Sequence, residues 1–319
     1  MLRDVLRDLI ESGTPILADA GIETRIMFET DLELDPHIEV TALLDQRDGR
    51  EVLRDVYATY VDVAWAHGLP AIIGTPTFRA SLRYVEGAGR GGVEAVRRLN
   101  SEAVAFLHEI RSGGDHEPVF IAGVIGPYGD AYRPEDCLSH LDGADYHAAQ
   151  AEALAEAGVD LLFAPTFPSV EEAHGAAVAM SQTSVPYAVS FVLNQRGRLL
   201  DGTYLHDAIE RIDDAVVPAP THYGISCVHP TVVRTALQDL HVASARGAAR
   251  LREVKANGSS LAPGQLVALD HAESDPPEVF GESMHQLGID FGVSILGGCC
   301  GTDAKHLAAL ARRLEAKAA

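Results

Sequence analysis

Two cysteines, Cys299 and Cys300, stand side by side in Ile-Leu-Gly-Gly-Cys-Cys-Gly-Thr-Asp (295–303), at the end of an apolar run and just before a helical stretch. A third, Cys227, has a similar strand-end setting in Tyr-Gly-Ile-Ser-Cys-Val-His (223–229). Three thiols gathered at one rim can hold a zinc ion and leave its fourth position open, which is what separates a catalytic zinc from a structural one. Thiolates are soft ligands, and zinc accepts them in tetrahedral geometry. Glycines on both sides of the pair make poor core packing, which argues against three inert buried thiols. Adjacent cysteines also bridge one another only with strain, so a vicinal redox disulfide is disfavoured.

Zinc held by three thiolates carries net negative charge and is a weak Lewis acid for water. It suits a fourth thiol better. A free thiol with a pKa of about 8.5 is only a few per cent ionised at neutral pH, whereas coordination deprotonates it outright. The expected chemistry is in-line attack of that bound thiolate on an activated methyl group.

The elements that must position these thiols alternate short apolar runs with longer amphipathic ones, the pattern of a parallel β/α sheet. Eight strands are expected, at 16–20, 71–75, 119–124, 161–164, 187–192, 223–228, 266–270 and 293–296. Helices are expected at 51–67, 93–111, 146–157, 170–181, 232–240 and 304–316, several ending at a glycine. Eight such units in 319 residues are the count of a (β/α)8 TIM barrel, read as one domain over 1–319. An open doubly wound sheet is the second choice, since no Gly-x-Gly-x-x-Gly follows the first strand. In the barrel, Cys227 ends strand six and Cys299 and Cys300 end strand eight, all on the C-terminal face where barrel active sites form. Long connections at 27–36, 87–92, 128–143 and 255–264 interrupt the pattern, and glycine-rich 87–92 reads as a floppy loop or lid hinge.

Bulk composition narrows the partners. The formal charge of −21, from 46 acidic and 25 basic residues, argues against nucleic acid and anionic membranes. Four cysteines without a secreted-domain pattern suit a reducing compartment. The N-terminal ten residues read as an amphipathic helix rather than a signal peptide, and a cytoplasmic location is expected. Lys255, Lys305 and Lys317, the three lysines, lie on no strand-like segment, which disfavours a Schiff-base aldolase. Nothing in the sequence specifies oligomeric state, and a homo-oligomer is compatible with it.

Gly-Gly-Cys-Cys-Gly-Thr together with Gly-Ile-Ser-Cys resembles the zinc signature of the homocysteine S-methyltransferase family. The likeness runs along essentially the whole chain. Asp19-Ala20-Gly21-Ile22-Glu23-Thr24, Thr75-Pro76-Thr77-Phe78-Arg79-Ala80-Ser81, Gly123-Val124-Ile125-Gly126-Pro127-Tyr128-Gly129 and Leu200-Asp201-Gly202-Thr203 are each similar to a family segment. The resemblance implies a Zn2+-dependent methyltransferase that makes methionine, or an analogue, from a thiol. Cys227, Cys299 and Cys300 would hold the metal, and Asp19, Ala20, Gly21, Glu23, Thr75, Thr166 and Gly298 would bind substrate. A chain that ends with the barrel leaves no room for folate or cobalamin domains, so a small methylsulfonium donor of the S-methylmethionine or S-adenosylmethionine type is expected. A betaine-type donor lacks an aromatic cage, because Tyr57, Tyr60 and Trp65 read as core residues of a helix.

The sequence also departs from the family. Ala164-Pro165-Thr166 stands where the family has Cys-Glu-Thr, so a carboxylate for the acceptor's ammonium is missing. Either Asp19 and Glu23 hold that group, or the acceptor is another sulfur or selenium compound, demethylation included. The remaining readings are a phosphate site at loop 297–302 and a non-catalytic zinc or redox-sensing barrel. His271, expected at the end of strand seven, is a candidate fourth ligand or a hydrogen-bonded rim histidine. His222 and His229 read as structural, and Cys137 as a spare thiol.

Overall fold

Eight parallel strands close on themselves in sequence order in the computed structural model, which describes residues 2–112, 118–261, 265, 269 and 271–315. They are β1 (Ile16–Ala18), β2 (Ala71–Gly74), β3 (Val119–Val124), β4 (Leu161–Phe167), β5 (Tyr187–Phe191), β6 (His222–Ser226), β7 (Leu251–Ala256) and β8 (Ile295–Gly298). The expected TIM barrel is therefore the observed fold. Seven of the strands follow the apolar runs of the sequence to within a few residues. Strands buried on both faces carry continuous apolar side chains, as in Val119–Val124, where every residue is buried.

The principal helices are α1 (Leu2–Ser12), α2 (Glu23–Glu29), α3 (Arg47–Ala66), α4 (Leu82–Gly87), α5 (Val93–Arg111), α6 (His140–Ala157), α7 (Val170–Ser181), α8 (Leu205–Ala215), α9 (Pro230–Ala243), α10 (Ala245–Arg250), α11 (Pro277–Phe291) and α12 (Ala304–Glu315). Leu6 and Ile10 of α1 join Ile16, Ile72, Phe120, Leu161 and Ile295 of the strands in one buried cluster. The N-terminal amphipathic helix thus packs against the barrel interior, leaving the opposite mouth for a site. Among the described residues no helix is long and apolar enough to cross a membrane.

One strand was misplaced by the sequence reading. The expected seventh strand, 266–270, falls largely outside the described residues, and the strand between β6 and β8 is Leu-Arg-Glu-Val-Lys-Ala at Leu251–Ala256. Three charges in six residues disguise it, although Leu251, Val254 and Ala256 are buried apolar positions. Lys255 is therefore a strand lysine, contrary to expectation. His271 does not end a barrel strand: its side chain is 61% exposed and faces Glu273 at 3.5 Å. Glycine-rich 87–92 lies between α4 and α5, away from the cavity described next.

Candidate active site

At the C-terminal mouth, the end of β6 and the end of β8 bring three sulfurs together. The Cys227 Sγ lies 2.8 Å from that of Cys299 and 3.4 Å from that of Cys300, and all three fall within 4.8 Å of one another. Long-range backbone bonds fix them. The Cys227 N–H donates to the Lys255 carbonyl (2.9 Å), the Cys299 N–H to that of Ala256 (2.8 Å), and the Gly258 N–H to that of Cys300 (2.9 Å). Cys227 itself has φ = 58°, a left-handed backbone that costs energy for a non-glycine residue and recurs at functional sites.

The glycines of the double-cysteine segment have a steric reason. A Cβ on Gly297 would meet the Asp19 carbonyl at 2.7 Å, and one on Gly298 would meet Thr302 Oγ1 at 2.0 Å. The bare position at 297 lets β8 approach the end of β1, and the one at 298 lets Thr302 fold back over the strand end. Thr302 then ties the turn by donating to the Cys299 carbonyl (2.7 Å), and the Gly301 N–H donates to Thr24 Oγ1 (3.2 Å).

The three thiols share negative charge unequally. Hydrogen bonds from Cys299 and then Cys300 hold the Cys227 thiol well below its ordinary pKa, against the effect of burial. The Cys227 thiolate in turn pushes Cys299 and Cys300 up. Tyr132, on the loop after β3, faces the same sulfurs, and the charge at Cys227 raises its phenol pKa strongly. Sulfurs sharing one tetrahedral ion at about 2.3 Å stand nearly 4 Å apart; at 2.8 and 3.4 Å from Cys227 the other two would spread by about 1 Å or less to take a metal with one further position. Among the described residues no other His, Cys, Asp or Glu cluster of this kind occurs. His271 is not part of it.

The sulfurs open into a cavity of about 360 Å3. All seven expected substrate-binding residues line it: Asp19, Ala20, Gly21, Glu23, Thr75, Thr166 and Gly298. Pro165 lines it as well, so the β4 position that lacks a carboxylate does face the cavity. Thr166, beside it, is a second non-glycine residue at positive φ (65°). Tyr57 and Tyr60 are core residues as expected, yet their hydroxyls support the site. They donate to the carbonyls of Gly74 (2.7 Å), the last residue of β2, and Gly21 (2.5 Å), in the segment that links β1 to α2.

The sequence reading missed Lys255, Tyr132, Glu39 and Arg79 on the cavity wall. The Lys255 ammonium pairs with Asp19 Oδ1, while Asp19 Oδ2 accepts the Gly74 N–H at 2.6 Å. Burial opposes the Lys255 charge, but Asp19 outweighs it and holds the ammonium protonated well above its ordinary range. A Schiff-base lysine needs the opposite shift, so an aldolase is disfavoured by this pairing rather than by the expected absence of a strand lysine. Arg79 pairs with Glu39 at 3.2 Å. Glu23, at the start of α2, has no cation within ion-pair distance among the described residues. Burial, reinforced by nearby Glu39, raises its pKa to about 7.

The other candidates are structural. His222 is fully buried against Glu253 at 2.9 Å. His229 caps α9 and faces Asp275 at 3.0 Å. Cys137 is half-buried beside Glu172, its thiol pKa raised chiefly by burial. The start of α12 already has its anion, since Asp303 Oδ1 accepts the N–H groups of Lys305 (2.9 Å) and His306 (3.1 Å). That leaves a phosphate little to bind at loop 297–302.

Comparison with known proteins agrees with this site. The homocysteine S-methyltransferase family profile matches residues 16–314. The chain is 30% identical over 243 residues to homocysteine S-methyltransferase of Escherichia coli strain K12, covering 69% of each protein. It is 26% identical over 295 residues to homocysteine S-methyltransferase YbgG of Bacillus subtilis strain 168, covering 83% of this chain and 85% of that one. The fold resembles the metallated crystal form of the E. coli homocysteine methyltransferase MmuM, with a TM-score of 0.76, 24% identity, and coverage of 97% and 99% of the two chains. By this match over nearly its whole length, the chain belongs to the homocysteine S-methyltransferase family and is a methyltransferase.

Proposed function

We propose that this protein is a zinc-dependent S-methyltransferase that moves a methyl group from a small methylsulfonium donor, of the S-methylmethionine or S-adenosylmethionine type, to homocysteine. The observation that carries the reading is the three-sulfur cluster opening into a cavity in a chain of this family. Cys227, Cys299 and Cys300 would hold the metal. Bound there, zinc supplies the means to keep a fourth thiol ionised yet nucleophilic at neutral pH.

The chain's own residues contribute binding and orientation. Ile22, Phe78, Val124 and Phe163 make much of the wall apolar, which excludes water and favours a compact sulfonium whose positive charge is lost on transfer. The donor's C–S bond breaks as the acceptor's S–C bond forms. The donor leaves as a neutral thioether, and the acceptor's thiol proton departs to solvent through the mouth. Tyr132 stands over the sulfurs, where its neutral hydroxyl can donate to a thiolate. The substrates are small molecules, not nucleic acid, and the unit at work is the single barrel in a cytoplasmic setting. Pro165 favours a second reading, an acceptor other than homocysteine within the same chemistry.

The test is metal analysis of the purified protein, followed by mass-spectrometric detection of methionine from homocysteine and S-methylmethionine. About one zinc per chain and methionine formation are expected. Reduced, metal-supplemented protein that binds no zinc would sink the mechanism, and zinc with turnover of other thiols only would move the acceptor to the second reading.

A further inference from the structure

The charges around the cavity do not pair as a carboxylate cradle for an ammonium would require. Asp19 is spoken for: one oxygen faces Lys255 and the other accepts the Gly74 N–H, with the Asp19 side chain only 2% exposed. A ligand ammonium would have to compete there with an ammonium already in place. At the end of β4 the cavity wall is Pro165, and Arg79 is engaged by Glu39.

Of the charged groups on the wall, Lys255 and Glu23 are the two partly buried ones that retain capacity for a ligand, whereas Asp130 is exposed and turns one oxygen to the Tyr132 N–H. Lys255 has three N–H donors; one meets Asp19, and the side chain stays 16% exposed. Glu23 is half-buried, lines the cavity and has no cation within ion-pair distance among the described residues. Their placement is also suggestive. β8 lies between β7 and β1 in the closed barrel, so Lys255 on β7 and Glu23 beyond β1 flank the strand that ends in Cys299 and Cys300. A small thiol anchored by sulfur at the cysteines would have a cation on one side and an anion on the other.

We propose that Lys255 and Glu23 are the specificity-determining pair of this site, Lys255 holding the carboxylate of the acceptor thiol and Glu23 its ammonium. This rests on the methyltransferase reading above and replaces Asp19 as the ammonium holder. Asp19 becomes a positioning residue that aims the Lys255 ammonium.

The experiment compares three acceptors on the zinc-loaded full chain: homocysteine, 4-mercaptobutyrate, which lacks the ammonium, and 3-mercaptopropylamine, which lacks the carboxylate. For the wild type, kcat/KM is expected to fall about tenfold or more for each truncated acceptor, mainly through KM. Glu23→Gln should collapse the ratio of homocysteine to 4-mercaptobutyrate toward about one, leaving the preference over 3-mercaptopropylamine. Lys255→Met should collapse only the other ratio, and Lys255→Arg should restore it. Calorimetric binding of the three thiols supplies a readout independent of turnover. Equal loss on all three acceptors, or unchanged ratios, would overturn the pairing. If Lys255→Met does not fold, the wild-type series and Glu23→Gln still decide. No methyl transfer to any thiol would instead remove the methyltransferase reading, and the binding ratios would test the pairing alone.

Discussion

The cysteine corner at β6 and β8 and the charged corner at β1 and β7 share one cavity wall but are assembled differently. The first is made of short motifs. Cys299 and Cys300 are sequence neighbours between glycines, of which Gly297 lets β8 approach the end of β1, and only Cys227 comes from elsewhere. The second is made of pairings at long range, since Lys255 and Asp19 meet across 236 positions of sequence. What the sulfurs need is proximity, which a local motif largely supplies. What a buried charge needs is a partner, which any strand of a closed barrel can provide. The difference shows why one corner carries a recognisable signature and the other can be rebuilt without leaving one.

Breaking the cysteine corner should have the largest effect. Cys299→Ala is expected to abolish stoichiometric zinc binding and reduce methyl transfer by about 10^3-fold or more, because two sulfurs cannot replace a three-thiolate site. Metal analysis alongside circular dichroism would check it, since the fold rests on the barrel core and should persist.

At the charged corner the expected damage is to stability. Asp19→Asn strands the Lys255 ammonium in a buried site and should cost about 3–5 kcal/mol, whereas Asp19→Asn combined with Lys255→Met should recover most of that loss. A denaturation cycle over the four proteins measures the coupling. Additive losses would mean the pair is not what holds these residues in place.

Glu23 provides a smaller effect with a sign set by pH. Its pKa is raised in the folded protein to about 7 from an ordinary 4.5. Below pH 4.5 the carboxyl is neutral in both states, so Glu23 does not oppose folding. Between pH 4.5 and 7 the unfolded chain ionises first and stability falls, and above pH 7 the penalty is constant. Glu23→Gln should therefore match the wild type near pH 4.5 and exceed it by about 2 kcal/mol at pH 8, after discounting for partial exposure. Thermal melts at the two pH values decide. The smallest effect is expected outside both corners: His271→Ala, on the exposed segment before α11, should change zinc content not at all and stability by no more than about 0.5 kcal/mol.

The barrel and its metal corner were legible because their physics is local. Apolar runs such as Val119–Val124 identify strands buried on both faces, and the alternation with helices identifies a parallel barrel. β7 was not legible, because Arg252, Glu253 and Lys255 give it the composition of a surface helix. Glu253 is nevertheless buried against His222 and Lys255 against Asp19. The alternation of buried apolar positions at 254 and 256 with these charges was the one available signal, and reading it required knowing that partners waited inside.

From residue types and spacing, the sequence determined a parallel β/α barrel and a three-thiol cluster at its C-terminal mouth, and the resemblance of its motifs added the methyltransferase family. Tertiary structure decided which charges are occupied. Asp19 and Glu23 look equivalent along the sequence, as two carboxylates four residues apart. Only the closure of β7 and β8 onto β1 pairs the first with an ammonium and leaves the second half-buried, with none in ion-pair distance among the described residues. Ionic partnership depends on distance through space, and in a closed barrel that distance is set by strand order and register rather than by separation along the chain.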